Sequence, residues 1–243
     1  MKNPILTLSL IALLSGEINN SYSQNSELPK DSKLVIYGES CHMSKKQKNF
    51  MINSVDSLKK EGYNYFAIEL PAKEDSSIQC YLTSNKNYQD ENIKKLLEWR
   101  PSNKGLKVAY NFYKKGFKVI NIDEGEDYID IFKVKWDDAS LLMEMANNRD
   151  SCMAKNIERI LEKDSSAKIV AYTGAFHVRE IEDTLKIKER DYTFTYKYPP
   201  MAGILKKRGI NPETICLIDE NGKCADIENA ELNKFIDKKI YLK

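Results

Sequence analysis

Two stretches of this chain follow one plan, and together they limit what it can fold into. Lys33–His42 reads KLVIYGESCH and Lys168–His177 reads KIVAYTGAFH. Each is an apolar, β-branched run that reads as a buried strand, breaks at a glycine, and then presents a histidine. Gly38 precedes Glu39 and His42; Gly174 precedes His177. These are the only 2 histidines in 243 residues. Chance would scatter them, so their matched placement points to one shared site rather than to two separate structural histidines.

The chain between and beyond these runs completes a repeating pattern. Ser44 begins a predicted helix to about Lys60, with Phe50, Met51, Val55 and Leu58 as its apolar stripe and Gly62 just past its end. Tyr63–Leu70 reads as a second strand, carrying Glu69 and stopped by Pro71. A polar stretch to about Tyr88 reads as a loop suited to a rim or lid. Asp90–Trp99 and Asn103–Lys115 read as short helices separated by Pro101. Phe117–Asp123 is the third strand, delivering Asp123 and Glu124, and a long helix follows from about Asp138 to Glu162. Lys168–Thr173 is the fourth strand. After His177 the pattern gives a short helix (Glu180–Leu185), an extended TFTYKYPP, and a helix Met201–Arg208 closed by Gly209. Thr214–Asp219 and Lys223–Ile227 flank Asn221-Gly222, a hairpin signal. The last stretch, Glu231–Lys243, has no clear pattern.

Repeated βαβ units with long crossovers predict the α/β class, with a mostly parallel central sheet flanked by helices on both faces and a C-terminal hairpin at one edge. Parallel sheets of this kind bind ligands beyond the carboxyl ends of their strands. Here those ends carry Glu39 and His42, Glu69, Asp123 and Glu124, and His177. Residues far apart in sequence therefore converge on one rim. Arg149 belongs to the same picture. At helical spacing it shares the inner face of the long helix with Met145, Met153 and Ile157, with Asn156 nearby. A buried arginine is costly unless paired. Two roles are open to it: a structural salt bridge to Glu39 or Glu69, or an arginine that also meets a substrate oxygen.

Composition excludes some classes. Lys and Arg total 38 against 36 Asp and Glu, a formal charge of +2, which lacks the basic excess of a nucleic-acid-binding surface. Residues 1–23 read as a signal peptide: Lys2 is followed by an apolar Pro4–Leu14, too short to span a bilayer, and Ser21-Tyr22-Ser23 suits cleavage before Gln24. A periplasmic or secreted location is expected, with residues 24–243 as a single α/β domain. The 5 cysteines are an odd number without a CxxC pair, which argues against a zinc knuckle. A two-residue turn would put Cys216 and Cys224 out of register, so no bond is expected between them. Cys41 beside His42 invites a nucleophile reading, but a small buried cysteine is the ordinary alternative.

Set in order, these segments resemble a family. GESCH resembles the G-E-x-x-H motif of the erythromycin-esterase-like and ChaN-like proteins of the Tiki superfamily. FAIELP and VINID resemble their second and third strands. RDSCMAKNIERIL (Arg149–Leu161) resembles their R-D-x-x-M-A-x-N helix, TGAFHV their closing G-x-x-H-V, and Met201–Ile218 the segment that follows in the esterases. The resemblance implies Glu39, His42, Glu69, Arg149 and His177 as site residues. Asp123, Glu124 and Asn156 are expected to bind substrate.

Two functions follow as expectations. One is hydrolysis of an ester, lactone or amide, with His42 as general base on water, a glutamate fixing its tautomer, and His177 with Arg149 facing the oxyanion. A variant holds a divalent metal between His42, His177 and Glu69. The other, implied by the resemblance, is a haem-binding uptake protein with His42 or His177 on iron. A small molecule or haem is the expected partner, without nucleic acid or a membrane span.

Overall fold

The computed structural model describes residues 31–98, 100–123, 139–180, 183–189, 192–219 and 236–242. In chain order its elements are β1 (Leu34–Glu39), α1 (Lys45–Lys60), β2 (Tyr65–Pro71), α2 (Asp75–Thr83), α3 (Glu91–Glu98), α4 (Arg100–Lys114), β3 (Lys118–Asp123) and α5 (Ala139–Lys163). There follow β4 (Ile169–Gly174), β5 (Asp183–Glu189), β6 (Tyr192–Tyr198), α6 (Met201–Lys207), β7 (Glu213–Asp219) and β8 (Lys238–Leu242). The six-stranded main sheet has the order β3-β2-β4-β1-β7-β8, and its pairs are all parallel.

The two glycine-terminated runs lie side by side. Leu34 pairs with Ile169 and the register continues to Glu39 opposite Gly174. Strand β4 thus sits between β1 and β2, which brings the carboxyl ends of all three together. The pairing of β2 with β3 shifts register between Ile68 and Pro71. An extra residue there bends the strand and re-aims its side chains, at the very place where Glu69 leaves the sheet.

Alternation along the strands divides the core into two layers. Val35, Tyr37, Phe66, Ile68, Val170 and Tyr172 face α1, α2, α3 and α4. Leu34, Ile36, Ala67, Ile169 and Ala171 face α5 and α6. Phe66 stacks on Phe112 of α4 with ring centres 3.8 Å apart, fixing that helix on the sheet.

The structure corrects three expectations. The stretch read as a polar loop before Tyr88 holds α2, because Ile78, Tyr81 and Leu82 bury one face of it. The expected helix Glu180–Leu185 gives way to β5, which pairs antiparallel with β6 from Asp183 opposite Tyr198 to Glu189 opposite Tyr192. DTLKIKE alternates Leu and Ile with Lys at period two, and a partner strand rewards that period over a helical one. At the C-terminal edge, β8 lies parallel to β7. Lys223–Ile227, the expected second hairpin strand, falls outside the described residues. Among the described helices none is long and apolar enough to cross a membrane.

Gly38 marks where the layers meet. A Cβ there would stand 2.6 Å from Val178 Cγ1 and 2.8 Å from Ala175 Cα, inside the turn that carries His177. Gly38→Ala is expected to cost about 1–3 kcal/mol of stability through overpacking, read as a lowered urea midpoint. Gly105→Ala is the control, since its Cβ would meet Ile68 Cδ1 at an ordinary 3.6 Å; stability should hold or rise.

Candidate active site

The loop after β1 is braced before it delivers a side chain. Ser44 caps α1 by accepting from Gln47 N at 3.3 Å, and its hydroxyl donates to Asp219 Oδ2 at 2.6 Å. The Gln47 side chain accepts from Cys41 N at 3.1 Å and donates to Ser40 Oγ at 2.6 Å and Leu217 O at 2.7 Å. Held this way, the loop turns His42 back over Glu39. Nδ1 of His42 lies 2.6 Å from Glu39 Oε1, and the imidazole stays 54% exposed. Its far edge rests over Gly174: a Cβ at that position would be 3.2 Å from His42 Nε2 and 3.6 Å from Glu69 Oε2. A side chain at position 174 would crowd the imidazole, which would have to give by a few tenths of an ångström.

Glu39 is buried, and its other oxygen accepts from Lys48 Nζ and from the Tyr172 hydroxyl. Glu69 is fixed from three sides. Arg149 Nη2 donates to Oε1 at 2.7 Å, Gly174 N donates to Oε2 at 2.7 Å, and His177 Nε2 stands 3.5 Å from Oε1. Arg149 also forks onto Asp123, with Nε 3.1 Å from Oδ1 and Nη2 2.7 Å from Oδ2. His177 Nδ1 lies 2.8 Å from Asp150 Oδ1, which also accepts from Met201 N at 2.6 Å.

These contacts set the charges. Burial alone would raise Glu69, but His177, Arg149 and His42 outweigh it and hold the carboxyl well below its ordinary range. Burial would likewise lower His177, yet the Asp150 and Glu69 carboxylates push it up to about 10. His42 is raised above 6.5, because its bond to Glu39 and the nearby Glu69 charge outweigh its desolvation. Glu39 is lowered despite burial, through His42 and Lys48. The two histidines differ in setting: His177 is buried between two carboxylates that hold it as an imidazolium through the neutral range, while His42 is raised on an exposed side chain.

Of the residues expected from the sequence, Glu39, His42, Glu69, Asp123, Arg149 and His177 come together at the strand ends. Glu124 lies outside the described residues. Asn156 does not point into the cluster; it donates to Ile122 O at 3.0 Å and accepts from Arg159 Nη1 at 3.1 Å, tying α5 to β3. Lys48, Asp150 and Tyr172 join the site without having been singled out. The signal for two of them was the one that marked Arg149. Lys48 falls in the 48, 51, 55, 58 stripe of α1, and Asp150 in the 150, 153, 157 stripe of α5. Cys41 is disulfide-bonded, which removes it as a nucleophile. Cys80, Cys152 and Cys216 are thiols, Cys216 being buried.

The metal set His42, His177 and Glu69 does not fit this geometry. Among the described residues no three His, Cys, Asp or Glu side chains are grouped to hold an ion. Glu69 is already taken by a guanidinium, with Arg149 Nη2 2.7 Å from its Oε1.

Fold and site together define an α/β protein with a Glu/His/Arg cluster at the carboxyl edge of a parallel sheet. No protein-family model matches the chain, and no curated protein sequence does. Solved structures share its fold. A mutant of the erythromycin esterase EreC in its open conformation superposes with TM-score 0.55 at 10% identity, over 77% of this chain and 70% of that one. The type III effector HopBA1 gives 0.48 at 14% identity, over 87% and 88%. ChaN of Campylobacter jejuni, a haem binder, gives 0.40 at 11% identity, over 80% and 85%. The EreC superposition accords with the fold that the resemblance to the esterases implied.

The raised His177 value makes stability depend on pH. Above the ordinary histidine pKa of 6.5 and up to about 10, the folded protein keeps a proton that the unfolded chain releases. Stability should fall as pH rises through that window. Urea unfolding of wild type and His177→Gln across it should show the wild-type decline flattened in the variant.

Proposed function

We propose that this chain is an exported hydrolase of ester, lactone or amide bonds, with His42 as the general base. The observation that carries this reading is the asymmetry of the His42 imidazole. Nδ1 is anchored on a buried carboxylate, while Nε2 faces Gly174 and Glu69 on a side chain that stays 54% exposed. An ionised carboxylate can only accept, so Nδ1 carries the hydrogen and Nε2 keeps its lone pair.

In this reading a water beside Nε2 attacks the substrate carbonyl carbon as His42 takes its proton. Glu39 stabilises the imidazolium that forms. His177, already cationic and only 12% exposed, supplies positive charge where the carbonyl oxygen becomes an oxyanion. His42 then returns the proton to the departing alkoxide or amine, leaving an acid and an alcohol or amine. No covalent nucleophile takes part: Cys41 is in a disulfide and the chain has no G-x-S-x-G. Arg149 is placed to hold Glu69 and Asp123 rather than to meet substrate. Export rests on the signal-peptide pattern of residues 1–23, and the Cys41 disulfide accords with an oxidising compartment.

An ester and lactone panel tests the reading. His42→Ala should lower kcat/KM by roughly 10²–10⁴-fold on any substrate turned over. Because the neutral imidazole acts, kcat/KM should rise with pH along a limb whose midpoint lies above 6.5. Chelator should leave the rate unchanged. The haem alternative would use the same Nε2 as an iron ligand. A saturable haemin spectral shift, lost in His42→Ala and unaccompanied by hydrolysis, would overturn the hydrolase assignment in its favour.

A further inference from the structure

Nothing in an isolated Glu–His pair decides how the glutamate shares its two oxygens. Here a second pair of side chains decides it. Lys48 from α1 is only 5% exposed, and its ammonium donates to Glu39 Oε2. The Tyr172 hydroxyl, from the neighbouring strand β4, donates to the same oxygen. Lys48 Nζ also lies 5.1 Å from the centre of the Tyr172 ring, so the two donors are packed as a unit. Glu39 Oε1 is left to His42.

We propose that Lys48 and Tyr172 are positioning residues for His42: by occupying Oε2 of Glu39 together they reserve Oε1 for Nδ1, fix the Nδ1–H tautomer, and leave Nε2 as the reactive nitrogen. The proposal deepens the general-base reading but does not depend on turnover. Its physical content is twofold. A carboxylate with one oxygen saturated by a buried cation cannot swing to meet the imidazole through either oxygen, so the ring keeps one orientation. The Lys48 charge also opposes protonation of His42, which Glu39 and Glu69 favour. Lys48 thereby limits the upward shift and keeps more of the imidazole neutral. Other charged groups frame the pair: Lys104 of α4 donates to Met43 O beside His42 and faces Lys48, while Arg149 and His177 hold Glu69 on the far side. None of these contacts Glu39 Oε2 in the described structure, so the assignment rests on Lys48 and Tyr172.

The chain has only 2 histidines, so nitrogen-15 imidazole NMR of the purified, untagged protein resolves both. In wild type, His42 should titrate above 6.5 and show the Nδ1–H tautomer on the alkaline side, while His177 stays protonated through neutrality. Lys48→Met should raise the His42 pKa by roughly half a unit to one unit or more. Tyr172→Phe should shift it in the same direction by less, since it removes a neutral donor. With a substrate in hand, the acid limb of kcat/KM should move by the same amount in each variant. An unchanged His42 pKa in a folded Lys48→Met or Tyr172→Phe protein overturns the proposal. So does an Nε2–H tautomer in wild type, which keeps the test open even if both variants unfold. A positive NMR result without any hydrolysis would uphold the positioning role and sink the hydrolase reading.

Discussion

The site depends on how four carboxylates are neutralised in one place. Glu39, Glu69, Asp123 and Asp150 are gathered at the strand ends and largely removed from water. Such a group is tolerable only if each charge is matched. Lys48 answers Glu39, Arg149 bridges Glu69 and Asp123, and His177 answers Asp150. His42 is the remaining basic group at these carboxylates, and its side chain is the most exposed of the four. Its pKa is raised by the bond to Glu39 and the nearby Glu69 charge, which makes the imidazole a group ready to accept a proton.

Sheet order turns this charge matching into geometry. Because β4 lies between β1 and β2, the backbone N–H of Gly174 reaches Glu69 while the missing Cβ admits His42 from the other side. The Tyr172 hydroxyl, two residues earlier on the same strand, reaches Glu39. One strand therefore contacts both carboxylates and the imidazole between them. The register shift at the end of β2 adjusts where Glu69 leaves the sheet, and α5 closes the cluster with two successive residues, Arg149 and Asp150.

Much of this was legible in the sequence. Apolar runs, each closed by an ionisable group, placed Glu39, His42, Glu69, Asp123 and His177 on one rim, because parallel strands must present their carboxyl ends together. The charged residue in an apolar helical stripe marked Arg149. The same rule marks Lys48 and Asp150 once each stripe is read to its end. Tyr172 carried no such mark, since a tyrosine inside a buried strand is ordinary packing until a carboxylate is seen opposite. Asn156 shows the converse: proximity to Arg149 along the helix suggested the site, but its amide is used by β3 backbone and Arg159.

By itself the sequence determined the class of fold, the order of its main elements and the residues able to ionise at the sheet edge, since hydrophobic period and strand-breaking glycines are local properties. Only the tertiary structure decided which histidine is buried between two carboxylates and which stays exposed, that Arg149 bridges Glu69 and Asp123, and that β5 is a strand rather than a helix. Those outcomes depend on which charges and which partner strand lie within a few ångströms, and sequence separation does not encode that distance.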